Sequence, residues 1–136
     1  MMKKIDHIGI AVRNLDEALK VFQDALGLKA VTTEVVETQK VKVAFLPLGE
    51  LNLELLEPTQ PDSNIGKFIE SRGEGIHHIA VEVDDIRSSL DRIKDKGLKL
   101  INPEPVPGAQ STMIAFLHPK ATHGVLMELA EKKKDH

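Results

Sequence analysis

Four polar residues interrupt otherwise apolar, strand-like stretches of the chain: His7, Glu54, His78 and Glu128. His7 opens the run Ile8-Gly9-Ile10-Ala11-Val12, and His78 opens Ile79-Ala80-Val81-Glu82-Val83. Glu54 stands between Leu53 and Leu55, and Glu128 between Met127 and Leu129. A carboxylate turned into an apolar interior must take up a proton or find a cationic partner. Two imidazoles and two carboxylates around one divalent ion would satisfy all four groups at once. Strand geometry permits this, because alternate side chains share a face and each ligand can come from a different strand. The plainer reading is that a strand histidine is hydrogen-bonded in place and a strand glutamate lies on the polar outer face of an antiparallel sheet.

Internal repetition favours the metal. Asp6-His7-Ile8-Gly9-Ile10-Ala11-Val12 returns as His77-His78-Ile79-Ala80-Val81-Glu82-Val83. Leu15, Leu19 and Phe22 are echoed by Ile86, Leu90 and Ile93, and Gly27-Leu28-Lys29 by Gly97-Leu98-Lys99. Ala44-Phe45-Leu46 returns as Ala115-Phe116-Leu117, and Leu53-Glu54-Leu55 as Met127-Glu128-Leu129. Landmarks repeated in one order imply a duplicated module, and duplication puts the four polar residues at matched positions. His77 competes with His78 for the ligand role. The alignment selects His78, because a one-residue shift sends a strand side chain to the opposite face.

The elements that must position these residues follow from periodicity. An alternating, β-branched run predicts a strand over 4–12. Asn14 and Glu17 resemble a capping box, after which Leu15, Ala18, Leu19, Phe22, Ala25 and Leu26 follow helical spacing until Gly27. Strands are expected over 29–38, 41–48 and 51–57. Pro58 to Asn64 reads as a link followed by a short helix over 65–71. Gly73-Glu74-Gly75 opens the second copy, where Asp84 or Asp85 caps a helix ending near Lys96. Pro103-Glu104-Pro105-Val106-Pro107-Gly108 is read as a loop that stays out of the sheet ladder. Each copy is therefore expected as βαβββ, an α+β fold of two tandem modules (about 4–58 and 74–130) with a linker over 59–73. The charged residues 131–136 are expected to form a solvated tail.

Composition limits the alternatives. At 136 residues, 41% hydrophobic and 29% charged, the chain is expected to be one soluble globular domain. No apolar run reaches the ~18 residues of a membrane span, and Met1-Met2-Lys3-Lys4 leads into a strand rather than a signal peptide. Without cysteine, disulfides, thiolate nucleophiles and thiolate metal sites are excluded. A net charge of −3 offers no basic face for nucleic acid, and with four Phe and no Trp or Tyr base stacking is a poor prospect. The expected setting is the cytoplasm and the expected partner a small molecule.

With these features in place, the sequence resembles the vicinal oxygen chelate superfamily. The strings Gly75-Ile76-His77-His78-Ile79-Ala80, Phe116-Leu117-His118-Pro119-Lys120 and Gly124-Val125-Leu126-Met127-Glu128-Leu129 resemble the methylmalonyl-CoA epimerase family within it. Leu55-Leu56-Glu57-Pro58 and Pro61-Asp62-Ser63 add to the likeness. The resemblance covers nearly the whole chain before the tail. It implies a mixed sheet curled around a metal-binding cleft, with His7, Glu54, His78 and Glu128 holding one divalent ion. Co²⁺ is favoured, and Mn²⁺, Ni²⁺ and Zn²⁺ suit the same N/O donors. It also implies an acyl-CoA substrate, a homodimer, and interconversion of (R)- and (S)-methylmalonyl-CoA by moving the proton α to the thioester.

Glu128 matches the carboxylate that in this family both binds metal and moves the proton. Some members carry a second glutamate in the third strand of the first module, where this chain has Val43. Glu54 is the expected second proton carrier, with Glu37, Lys42 or a water as alternatives. Gln110 and Ser111, in a glycine-led loop, together with His118 and Lys120, are the expected substrate contacts. Rival readings are a glyoxalase I-like lyase acting on a glutathione hemithioacetal, an extradiol dioxygenase, and a metal-free binding protein. The absence of Trp and Tyr and the retention of all four ligand types speak against the last.

Overall fold

The computed structural model describes residues 2–30 and 32–133. Strand β1 (Met2–Ala11) leads into α1 (Leu15–Leu19), then β2 (Thr32–Val36), β3 (Val41–Leu48), β4 (Leu51–Pro58) and α2 (Asn64–Arg72). The second half runs β5 (Gly75–Val83), α3 (Ile86–Asp95), β6 (Val106–Pro107), β7 (Met113–Leu117) and β8 (Met127–Glu131). The fold is mixed α+β, and none of its described helices is long and apolar enough to cross a membrane. It divides into two compact units. One comprises residues 7–77; the other comprises the residues from His78 onward together with the chain start up to Asp6.

In the unit of residues 7–77 the strands lie in the order β2-β3-β4-β1. β3 is antiparallel to both β2 and β4, whereas β1 runs parallel to β4. The return that makes β1 and β4 parallel is the helical crossover that parallel pairing requires. Strand alternation gives the sheet two unlike faces. Val12, Ala44, Leu46 and Leu55 pack with Leu15 of α1 on one face, joined by Ile10, Ala18, Leu19, Phe22 and Leu53. Asn14 Oδ1 accepts the Glu17 backbone N–H at 2.9 Å, as expected of the cap.

The single helix expected to reach Leu26 changes register. After Leu19 the chain winds as a π-helix over Lys20–Ala25, with Leu26 N–H reaching Val21 O at 2.9 Å. The wider turn breaks the 3.6-residue spacing that drew Leu26 into the apolar stripe, and Leu26 is 63% exposed. The link is capped as a helix start: Ser63 Oγ accepts Gly66 N–H at 3.0 Å and opens α2.

In the other unit the order is β5-β8-β7-β6, with β5 parallel to β8 and the remaining pairs antiparallel. Asp85, not Asp84, caps α3 by accepting Ser88 N–H at 3.1 Å. Ile86, Leu90 and Ile93 then pack on Val81, Val83, Ala115, Leu117 and Leu129. The proline-rich segment is not all loop. Val106 and Pro107 pair with Ile114 and Met113 as a two-residue strand at the end of the order, where proline loses no obligatory ladder bond.

The tail also differs from expectation at its start. Glu131 ends β8, and its Oε1 accepts Ile86 N–H at 3.1 Å. Lys132 Nζ lies 3.1 Å from Glu82 and 3.4 Å from Asp6. Residues 134–136 of the expected tail lie outside the described residues. At the chain start, Lys3 Nζ meets Asp84 at 3.1 Å and Glu82 at 3.8 Å, so Lys3 and Lys132 between them hold Asp6, Glu82 and Asp84.

Candidate metal and active site

His7 and Glu54 meet because of the parallel β1–β4 register. His7 pairs with Asn52 and Gly9 with Glu54, so all four residues share one sheet face. The intervening Ile8 and Ile10, Leu53 and Leu55 turn to the other face, where Ile10, Leu53 and Leu55 join the helix-covered core. His7 Nδ1 stands 3.0 Å from Glu54 Oε2, and both residues are only 6% exposed. Around them on the same face lie Val43, Phe45 and Leu56, all buried. A polar pair on an apolar floor is the pattern of a small-molecule site.

The second unit builds the same pair by the same register. Ala80 of β5 stands opposite Glu128 of β8, which puts His78, Ala80 and Glu128 on one face. His78 Nε2 is 3.4 Å from Glu128 Oε1, and both residues are buried. Phe116, opposite Glu128 on β7, holds the His78 ring edge-on with centroids 5.6 Å apart. Sequence alignment chose His78 over His77, and alternation explains the outcome. His77 packs edge-on against Phe68 at 5.0 Å. Burial, reinforced by the nearby Arg72 charge, pushes the His77 imidazole down to about 4, so it is neutral at physiological pH.

The residues fit a divalent metal by donor type and spacing. Two donor atoms each ~2.1 Å from one ion and ~90–110° apart are separated by roughly 3.0–3.4 Å. The His7–Glu54 and His78–Glu128 distances of 3.0 and 3.4 Å fall in that interval. At 3.4 Å the second pair is longer than the ~2.7–3.2 Å of an ordinary N–H···O hydrogen bond. Neutral imidazole nitrogen and carboxylate oxygen are the donors that Co²⁺, Mn²⁺, Ni²⁺ and Zn²⁺ accept.

The expected substrate contacts all fall in the second unit. Gln110 and Ser111 are exposed and adopt left-handed backbone conformations, with φ of 54° and 59°. Non-glycine residues held there cost on the order of 1–3 kcal/mol each, a strain found preferentially at functional loops. The loop is closed by Gly108 N–H to Thr112 O at 2.9 Å and by Thr112 Oγ1 to Ala109 O at 2.7 Å. His118 Nδ1 accepts Lys120 N–H at 3.1 Å, which leaves its proton on Nε2. Lys120 is exposed.

Three features escaped the reading of the sequence. Glu82 is buried on the His78 face, but Lys3 and Lys132 compensate it. Glu57 Oε1 accepts Leu15 N–H at 2.8 Å, as Glu131 does for Ile86. Their shared offset, three residues beyond Glu54 and Glu128, was the available signal.

The chain belongs to the glyoxalase/bleomycin resistance protein/dioxygenase superfamily, whose sequence pattern matches residues 6–116. It is similar to the uncharacterised Bacillus subtilis protein YqjC, with 42% identity covering 98% of this chain and 96% of the relative. It is 35% identical to the ethylmalonyl-CoA/methylmalonyl-CoA epimerase of Cereibacter sphaeroides, covering 96% of this chain and 99% of that protein. Among solved structures, a Streptomyces coelicolor methylmalonyl-CoA epimerase variant in complex with 2-nitronate-propionyl-CoA superposes with a TM-score of 0.93. It shares 40% identity, over 97% of this chain and 96% of that one.

Proposed function

We propose that the chain is a metal-dependent epimerase that interconverts (R)- and (S)-methylmalonyl-CoA. The observation that carries this reading is the matched, buried His–Glu pair in each unit. It is supported by the similarity to epimerases, one of them bound to an acyl-CoA analogue. In this reading His7, Glu54, His78 and Glu128 together hold one divalent ion. Two neutral imidazoles and two carboxylates would leave its first shell formally neutral. Co²⁺ is the first choice, with Mn²⁺, Ni²⁺ and Zn²⁺ compatible. The bound ion would supply Lewis-acid polarisation of the thioester carbonyl.

Glu128 takes the α proton on one face of the substrate; the β5–β8 register puts its carboxylate beside His78, whose ring packs against Phe116. His7 fixes Glu54 against the floor of the first unit. The apolar floor of Val43, Phe45 and Leu56 limits the water that would compete for the planar enolate left by proton loss. The loop carrying Gln110 and Ser111, with His118 and Lys120, meets the substrate carboxylate and the CoA phosphates. By the same family resemblance the working form is a homodimer, and the composition of the chain suits the cytoplasm.

Incubation with (R)-methylmalonyl-CoA in D₂O tests the reading. Formation of the (S) epimer with deuterium at the α carbon is expected. Turnover of methylglyoxal with glutathione, without any α exchange in methylmalonyl-CoA, would place the chain with the lyases instead.

A further inference from the structure

Inversion at carbon needs a proton carrier on each face of the planar intermediate, and Glu128 serves one. Resting on the epimerase reading above, the register points to Glu34 as the carrier for the other face. β2 and β3 are antiparallel neighbours with Glu34 directly opposite Val43, and Val43 stands opposite Leu56 on β4. Directly opposed residues point to one side of a sheet, and so do residues two apart on one strand. Glu34, Val43, Leu56 and Glu54 therefore share the face that carries His7. On that face of β1 to β4 within residues 7–77, Glu34 is the one described carboxylate besides Glu54.

The other groups open at the sequence level are placed differently. Lys42 pairs with Val35 and Glu57 and so turns to the opposite face. Glu37 is exposed in the turn after β2. Glu54 is in contact with His7 and is assigned, with Glu128, to the ligand set of the ion. Glu34 lies two strands away, roughly 10 Å across the sheet at ~4.8 Å per strand, outside that ligand set. It is half-buried, while its neighbours Thr33 and Val35 are exposed.

The second unit shows that the fold does not require an acid there. Its equivalent ladder runs from Glu128 opposite Phe116, through Ile114, to Val106 opposite Ile114. Val106 thus occupies the place that Glu34 holds in the first unit. An acid on one side and valine on the other is the asymmetry expected when only one unit supplies a carrier outside the ligand set.

The test is Glu34→Gln, assayed in D₂O with each epimer of methylmalonyl-CoA separately, beside metal content. Wild type should exchange and interconvert both epimers. E34Q should retain its metal and still exchange the α proton of the epimer served by Glu128, while interconversion falls by ~10²–10⁴-fold. Glu34→Asp should recover part of the loss. Interconversion by E34Q within about twofold of wild type overturns the assignment. Equal loss of exchange from both epimers, or loss of metal, also overturns it by making Glu34 structural. Failure of wild type to exchange either epimer removes the epimerase reading itself, and the assignment falls with it.

Discussion

Glu54 and Glu57 stand three residues apart on β4 and face opposite sides of the sheet. Glu54 meets His7 Nδ1 at 3.0 Å, and Glu57 accepts the first N–H of α1 at 2.8 Å. One strand thus supplies a metal-type ligand to one face and a helix cap to the other, and β8 repeats the arrangement with Glu128 and Glu131. The caps predict a stability effect separate from chemistry. Glu57→Ala and Glu131→Ala should each lower unfolding free energy by ~1 kcal/mol in urea titrations, since each strands a helix N–H. Metal content should stay the same. Unchanged midpoints would mean that the caps are idle.

Glu128→Gln removes the proposed base but leaves an oxygen donor of the same size. Epimerisation should fall by ~10²–10⁴-fold in a coupled assay while the circular dichroism spectrum is retained. Activity near the wild-type level would show that another group moves the proton.

Gly66→Ala tests the link. A Cβ there would stand 2.6 Å from Pro61 O and 3.0 Å from Gln60 O, both backbone atoms. The turn before α2 would have to shift, at a cost of ~1–3 kcal/mol read from thermal unfolding. An unchanged melting temperature would show that the link relaxes freely.

The lysine clamps give a pH dependence with a definite sign. The Lys132 ammonium is held above the ordinary 10.5, chiefly by its hydrogen bond to Glu82. Lys3 is held above it chiefly by its hydrogen bond to Asp84. A raised folded-state value means that the stabilisation is complete below the unfolded lysine value of ~10.4 and is lost as pH rises through the folded one. Stability should therefore hold up to about pH 10.4 and drop as pH rises beyond it in wild type, and drop less steeply in Lys132→Met. Equal slopes would contradict the clamp.

Much of this was legible in the sequence because the repeat carries its own register. Once Asp6-His7 is laid on His77-His78, alternation alone sends His78 toward Glu128 and His77 toward Phe68. The caps of α1 and α3 were legible for the same local reason. What escaped depended on contacts distant in sequence. Val106 and Pro107 form a strand because Met113 and Ile114 return beside them. Glu131 is held by Ile86, forty-five residues away. The π-helix after Leu19 was hidden because periodicity assumes 3.6 residues per turn. Glu34 gave no signal, since its meaning lies in being opposite Val43.

Titration of metal-free protein with Co²⁺, followed by visible absorption, tests the shared ion most directly. It should saturate at one ion per chain, and both His7→Ala and His78→Ala should abolish the same single transition. Two ions per chain, or a His78→Ala variant that binds as wild type does, would contradict the account.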